Sequence, residues 1–99
     1  MARVTLAAPA DADLHRLFDF LAGEDLAAAF AVKDIIFDAL EILKRHPLVG
    51  RPVEDDMREL VISRGKSGYV ALYHYFEAED AVLVLAIRHQ REAGFSGHE

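Results

Sequence analysis

The 99-residue chain predicts an α+β fold of order β-α-α-β-β-β, with an antiparallel helical hairpin packed on a small, twisted, mainly antiparallel sheet. Three observations carry this. From Arg58 to Arg91 the sequence divides into three apolar runs of strand length, RELVISR, YVALYHYF and AVLVLAIRH, separated by GKSG and EAED. Runs of Val, Ile, Leu and Tyr between Gly or acidic breaks are strands joined by turns. From Pro9 to Arg45 the apolar residues instead recur at helical spacing, interrupted once by Gly23. Ahead of Pro9, RVTLA alternates polar and apolar like a short strand.

Arg3 to Ala7 forms that first strand. Its successor is helical, so it must return to pair with one of the last three strands. Pro9, Asp11 and Asp13 give a helix start, with carboxylates at the positive end of the dipole. Leu14, Leu17, Phe18 and Leu21 then fall on one helix face, and Gly23 ends it. A second helix runs from about Asp25 to Arg45, closed by Pro47 and Gly50. Its expected buried stripe is Ala28, Val32, Ile35, Ala39, Ile42 and Leu43, opposite Asp34, Asp38, Glu41 and Arg45. Leu26, Phe30 and Phe37 break the pattern. They form a second apolar line that needs cover, from the first helix or from a partner.

HPLVGRP, His46 to Pro52, is a tight connector, too short to link domains, so residues 1–99 are expected to form a single domain. In the meander, alternation puts Tyr69, Ala71, Tyr73 and Tyr75 on one face and Val70, Leu72, His74 and Phe76 on the other. The last strand divides likewise, Leu83, Leu85 and Ile87 against Val82, Val84 and Ala86. GKSG reads as a hairpin turn. It lacks the long glycine loop of a phosphate cradle.

Composition excludes several classes. At 53% hydrophobic the chain is globular, and its longest apolar runs fall well short of the roughly 20 residues a membrane span needs. The opening residues lack a secretory leader's charged start and long apolar run, so the expectation is a cytoplasmic protein without a membrane role. Zero cysteines exclude a disulfide framework. A formal charge of -6 argues against holding nucleic acid by bulk electrostatics, and no direct sequence-specific nucleic-acid binding is expected. The five histidines are scattered without metal-ligand spacing, so neither metal nor cofactor is expected.

One polar constellation remains: Arg64, Arg88, His89 and Arg91, joined by Arg58 and Tyr73. Such a set can clamp a phosphoryl transition state with His89 as acid or base, or grip a macromolecular surface without chemistry. It can equally be a row of solvated or Glu-paired strand-end residues.

At these residues the sequence resembles the ParE branch of the RelE/ParE superfamily, toxins of bacterial type II toxin-antitoxin modules. The likeness runs through MARVTL, DLHRLFDFLA, ALEILKRHPLVGRPV, RELVISRGKSGYVALYHY and VLVLAIRHQREAGF, and is most specific in HPLVGRP and RHQREAGF. It implies the same β-α-α-β-β-β order and a ParD-like antitoxin partner whose C-terminal segment wraps a hydrophobic groove. ParE-type members poison DNA gyrase and are associated with plasmid stabilization, whereas RelE-type members cut messenger RNA on the ribosome. RNA-cutting members tend to carry basic helices and an arginine early in the penultimate strand. Here the helices are acidic, Val70 occupies that strand position, and Gln90 follows His89 where a catalytic tyrosine would be sought. The resemblance therefore implies a gyrase-directed, non-enzymatic toxin, with Arg88, His89, Arg91 and Lys66 as target contacts. Leu17, Phe30, Phe37, Tyr73 and Tyr75 are the expected antitoxin contacts. Two alternatives stay open: a ribosome-dependent endoribonuclease using Arg64, Arg88 and His89, and a non-toxic relic that only binds its antitoxin.

Overall fold

The computed structural model describes residues 1–64 and 67–90. The elements follow as β1 (Arg3–Leu6), α1 (Ala8–Ala22), α2 (Leu26–Arg45), β2 (Arg51–Pro52), β3 (Met57–Arg64), β4 (Ser67–Phe76) and β5 (Ala81–His89). The sheet order is β1-β5-β4-β3-β2. β1 lies parallel to β5, and every other neighbour is antiparallel. The first strand thus makes the long-range return its position requires. The predicted order holds, with β2 added as a two-residue edge strand inside the connector.

α1 starts with Pro9 in its first turn, where a missing N–H costs nothing. α2 is capped by Asp25, whose side chain accepts the Ala28 N–H at 3.2 Å. Lys44 and Arg45 in the last turn complement the dipole. Both helices lie on one face of the sheet. The main core joins Leu17, Val32, Ile36, Leu40 and Leu43 to Ile62, Tyr69, Ala71, Tyr73, Val82, Val84 and Ile87. Residues Tyr69, Ala71 and Tyr73 share the helix-facing side as alternation predicts. Val70, Leu72 and Ala86 form a smaller cluster on the rear, packed by Val53, Met57 and Leu85.

Two expected patterns are corrected. The buried stripe of α2 is Ala29, Val32, Ile36, Leu40 and Leu43, while Ile42 stays 48% exposed. The helix is turned so that Ile36 and Leu40 enter the core shared with the sheet. In β5, Val82, Val84 and Ile87 all enter the main core, so Ile87 does not share a face with Leu83 and Leu85. The cause is a bulge: Leu72 pairs with Ala86 but Tyr73 pairs with Val84, leaving Leu85 as an extra residue that reverses the alternation.

The connector is locked by the sheet. Tyr73 is fully buried, and its hydroxyl donates to the Pro47 carbonyl and accepts the Gly50 N–H, each at 2.8 Å. Arg58 Nη1 donates to the carbonyls of Leu48 (3.0 Å) and Gly50 (2.8 Å). A side chain at Gly50 has no room, since a Cβ there would sit 2.5 Å from the Tyr73 hydroxyl and 2.8 Å from the Glu59 carbonyl oxygen. Two members of the polar constellation, Arg58 and Tyr73, are therefore structural.

Tyr73→Phe keeps the ring but strips partners from Gly50 and Pro47, and should lower the unfolding free energy by about 1–3 kcal/mol. Burial, partly offset by the Gly50 N–H and the Arg58 charge, raises the phenol's pKa from its ordinary 10.0. The folded state then holds this proton more tightly than the unfolded chain. The contribution is full below pH 10.0 and is lost as pH rises through the folded pKa. Urea titrations at neutral and alkaline pH should show a smaller alkaline loss in the Phe variant than in the parent.

Candidate functional site

α2 carries more apolar residues than one face can bury, and the excess shapes a groove between the helices. Joined only by Gly23, Glu24 and Asp25, α1 and α2 must lie side by side. Leu14, Leu17, Phe18 and Leu21 of α1 and Ala29, Val32, Ile36 and Phe37 of α2 line an open groove of about 300 Å³ between them. Phe18 and Phe30 meet edge to face, centroids 5.1 Å apart. That contact leaves Phe30 49% exposed, with Leu26 at 56% and Phe37 at 40%. The first helix therefore covers the second apolar line of α2 only in part.

The groove's polar groups are few and lie towards one end or the rim. His15 Nδ1 lies 2.9 Å from the Asp11 carbonyl oxygen. Lys33 Nζ sits 5.9 Å from the centroid of the Phe30 ring, a cation–π contact. Among the described residues no group of three His, Cys, Asp or Glu is placed to hold a metal ion. An apolar trough with so little converging polarity suits the side chains of a partner better than bond-making chemistry.

The second region is the end of β5. Tyr69 pairs with His89 and Val70 with Arg88. Because opposite residues share a face, His89 stands beside Tyr69 on the helix-facing side, the rings 5.2 Å apart and nearly perpendicular. Arg88 stands beside Val70 on the rear, its Nη1 3.3 Å from the His89 carbonyl oxygen and 3.4 Å from that of Gln90. Adjacent on one strand, Arg88 and His89 thus point to opposite sides of the sheet. The structure does not bring them together as clamp and proton carrier. Arg64 pairs through its backbone with Ser67 at the far end of β3, and its side chain, like Lys66 and Arg91, lies outside the described residues.

The strand end is set against α1 by a residue that helical spacing alone did not single out. Asp13 is 5% exposed, and its Oδ2 accepts the Ile87 N–H at 2.9 Å. Pairing of β1 with β5 stops at Leu6 and Val84, so Asp13 supplies an acceptor beyond the end of β1. Its Oδ1 lies 3.7 Å from Arg16 Nη2.

The expected antitoxin contacts divide accordingly. Phe30 and Phe37 lie at the groove, with Leu17 as its buried floor. Tyr73 is corrected to an interior residue with no surface to offer. Tyr75 is half-buried, donates to Asp80 Oδ1 at 2.8 Å, and lines a separate cavity with Leu48, Val53 and Met57. Leu14, Phe18 and Leu21, which spacing already placed on one face with Leu17, are groove residues that the contact set lacked.

Residues 4–94 match the family model described as the ParE toxin of the type II toxin-antitoxin system, parDE. Toxin RelE3 of Caulobacter vibrioides is 37% identical over 92 residues, covering 93% of this chain and 98% of that relative. Among solved structures, the chromosomal ParDE toxin-antitoxin system of P. aeruginosa shares the fold with a TM-score of 0.74 at 20% identity, over 90% of this chain and 96% of that one. The RelBE2 toxin-antitoxin complex of Mycobacterium tuberculosis gives a TM-score of 0.61 at 25% identity, over 92% and 93%.

Asp13→Ala leaves a buried N–H at Ile87 without an acceptor and should destabilise the fold by about 1–3 kcal/mol, whereas Asp13→Asn, which keeps an acceptor oxygen, should recover part of that loss. Chemical denaturation of the two variants checks this. Equal losses would show that charge on Asp13, rather than the hydrogen bond, is what matters.

Proposed function

The chain belongs to the ParE toxin family of type II toxin-antitoxin systems, and from that premise we propose that it inhibits DNA gyrase and is neutralised by a ParD-like antitoxin seated in the α1–α2 groove. The observation that carries the antitoxin half is the groove itself, an apolar trough flanked by half-exposed Phe30 and Phe37. A monomeric surface rarely keeps aromatic side chains in line without a use for them.

Three observations support gyrase as the target. The family model is ParE over nearly the whole chain. The helices carry six acidic against four basic residues, and the turn between them adds Glu24 and Asp25, a poor surface for messenger RNA on a ribosome. Val70, in the strand position where RNA-cutting relatives tend to carry arginine, is a buried rear-face residue, and Arg88 and His89 diverge. The target contacts are then the strand-end residues Arg88 and His89, with Arg91 and Lys66. The name RelE3 borne by a relative at 37% identity favours the second reading, a ribosome-dependent endoribonuclease.

Purified toxin should inhibit gyrase supercoiling and accumulate cleaved DNA, and Arg88→Ala with His89→Ala should blunt both. Induction in cells should raise a DNA-damage response with messages intact. Codon-phased cleavage inside transcripts would establish the ribonuclease instead, and unhindered growth without antitoxin would mark a non-toxic member. Phe30→Ser with Phe37→Ser should weaken the antitoxin complex by about 2 kcal/mol or more while costing the half-exposed sites less in toxin stability. Equal losses in both assays would make the two phenylalanines ordinary core.

A further inference from the structure

Acidic side chains predominate around the groove, whose own polar lining is Asp11, His15 and Lys33. On α2, Asp34, Asp38 and Glu41 are exposed and, at 100° per residue, Asp34 and Glu41 lie just outside the Phe30–Phe37 line with Asp38 beyond them. On α1, Asp11 is exposed at one end of the groove, and Glu24 and Asp25 close the other end at the hairpin turn. Three of the nearby cations are engaged, and Arg45, on the Glu41 side, lies about two turns beyond Phe37. Lys33 lies over the Phe30 ring, Lys44 pairs with Glu41 at 2.9 Å, and Arg16 faces Asp13. An apolar trough inside a negative rim has a definite complement.

Resting on the reading that this groove holds the antitoxin, we infer that its occupant is a cationic amphipathic helix, with apolar side chains down one stripe and Lys or Arg on both flanks. Length follows from the same geometry. Leu26 to Phe37 is twelve residues of α2, eleven helical steps or about 16 Å, so roughly three turns of helix with anchors at i, i+3 or i+4, and i+7 fill it. Negative flanks would face Asp34, Asp38 and Glu41 and be repelled. The toxin-binding segment of the antitoxin is therefore basic.

The test uses the full-length toxin and two labelled synthetic helices of about 18 residues with the same Leu and Phe stripe, one flanked by Lys and Arg and the other by Glu. Fluorescence anisotropy should show the cationic helix binding at least about tenfold more tightly, with the preference shrinking as salt rises from about 50 to about 500 mM. Asp34→Lys, Asp38→Lys and Glu41→Lys together should reverse the preference, and circular dichroism should show the variant folded because all three sites are exposed. Phe30→Ser with Phe37→Ser should abolish binding of both helices. Equal affinity for the two helices, indifference to salt, or binding of neither overturns the inference. Unlabelled cognate antitoxin separates the two layers. If it displaces the cationic helix yet binds parent and charge-reversed toxin equally, the groove reading stands and the charge inference falls. If it binds the toxin without displacing the helix, the antitoxin assignment of the groove falls with it.

Discussion

A two-helix hairpin can lay only one face of each helix on a sheet, and α2 is apolar on more than one face. The core shared with the sheet takes Val32, Ile36, Leu40 and Leu43, and Ala29 is buried beside them towards α1. Leu26, Phe30 and Phe37 remain on the side towards α1, where Phe18 can cover Phe30 only edgewise. Completing that burial needs a third helix that this chain does not supply among its described residues. The unfinished layer is the physical basis of a protein that waits for a partner. Each aromatic it leaves half in water forfeits part of the roughly 1.5–3 kcal/mol that full burial confers.

The rest of the molecule makes that hairpin rigid. β5 is an interior strand, parallel to β1 on one side and antiparallel to β4 on the other, and Asp13 takes over as its acceptor beyond the end of β1. After the C-terminus of α2, Tyr73 and Arg58 hold the HPLVGRP connector through four hydrogen bonds to its backbone. A groove mounted on a scaffold so fixed presents its aromatic side chains in one arrangement, which lowers the ordering cost of association. The bulge at Leu85 belongs to the same scaffold. By reversing the alternation it sends Ile87 into the core and decides that His89 takes the helix-facing side and Arg88 the rear.

Much of this was legible in the sequence because it rests on local periodicity. The strands from Met57 to His89, both helices and the excess apolar line of α2 all follow from spacing and turn residues. What stayed hidden depends on contacts far apart in sequence. The rotation of α2 that exposes Ile42 is set by the sheet it meets. The bulge is invisible because Leu85 looks like any other strand residue. The carboxylate of Asp13 looks like a helix-start residue and turns out to serve a strand 74 positions away. Tyr73 reads as a surface aromatic from its hydroxyl, yet that hydroxyl is satisfied inside by Pro47 and Gly50. The strand-end constellation suffered most, since Arg58 proved structural and Arg88 and His89 diverge.

The central claim is that the α1–α2 groove is where the antitoxin neutralises this toxin. Amide hydrogen exchange on the toxin, alone and with its cognate antitoxin, tests it most directly. Added protection concentrated in residues 14–21 and 26–37 is the predicted result. Protection confined to β3 and the end of β5, with both helices exchanging as in the free toxin, would contradict it.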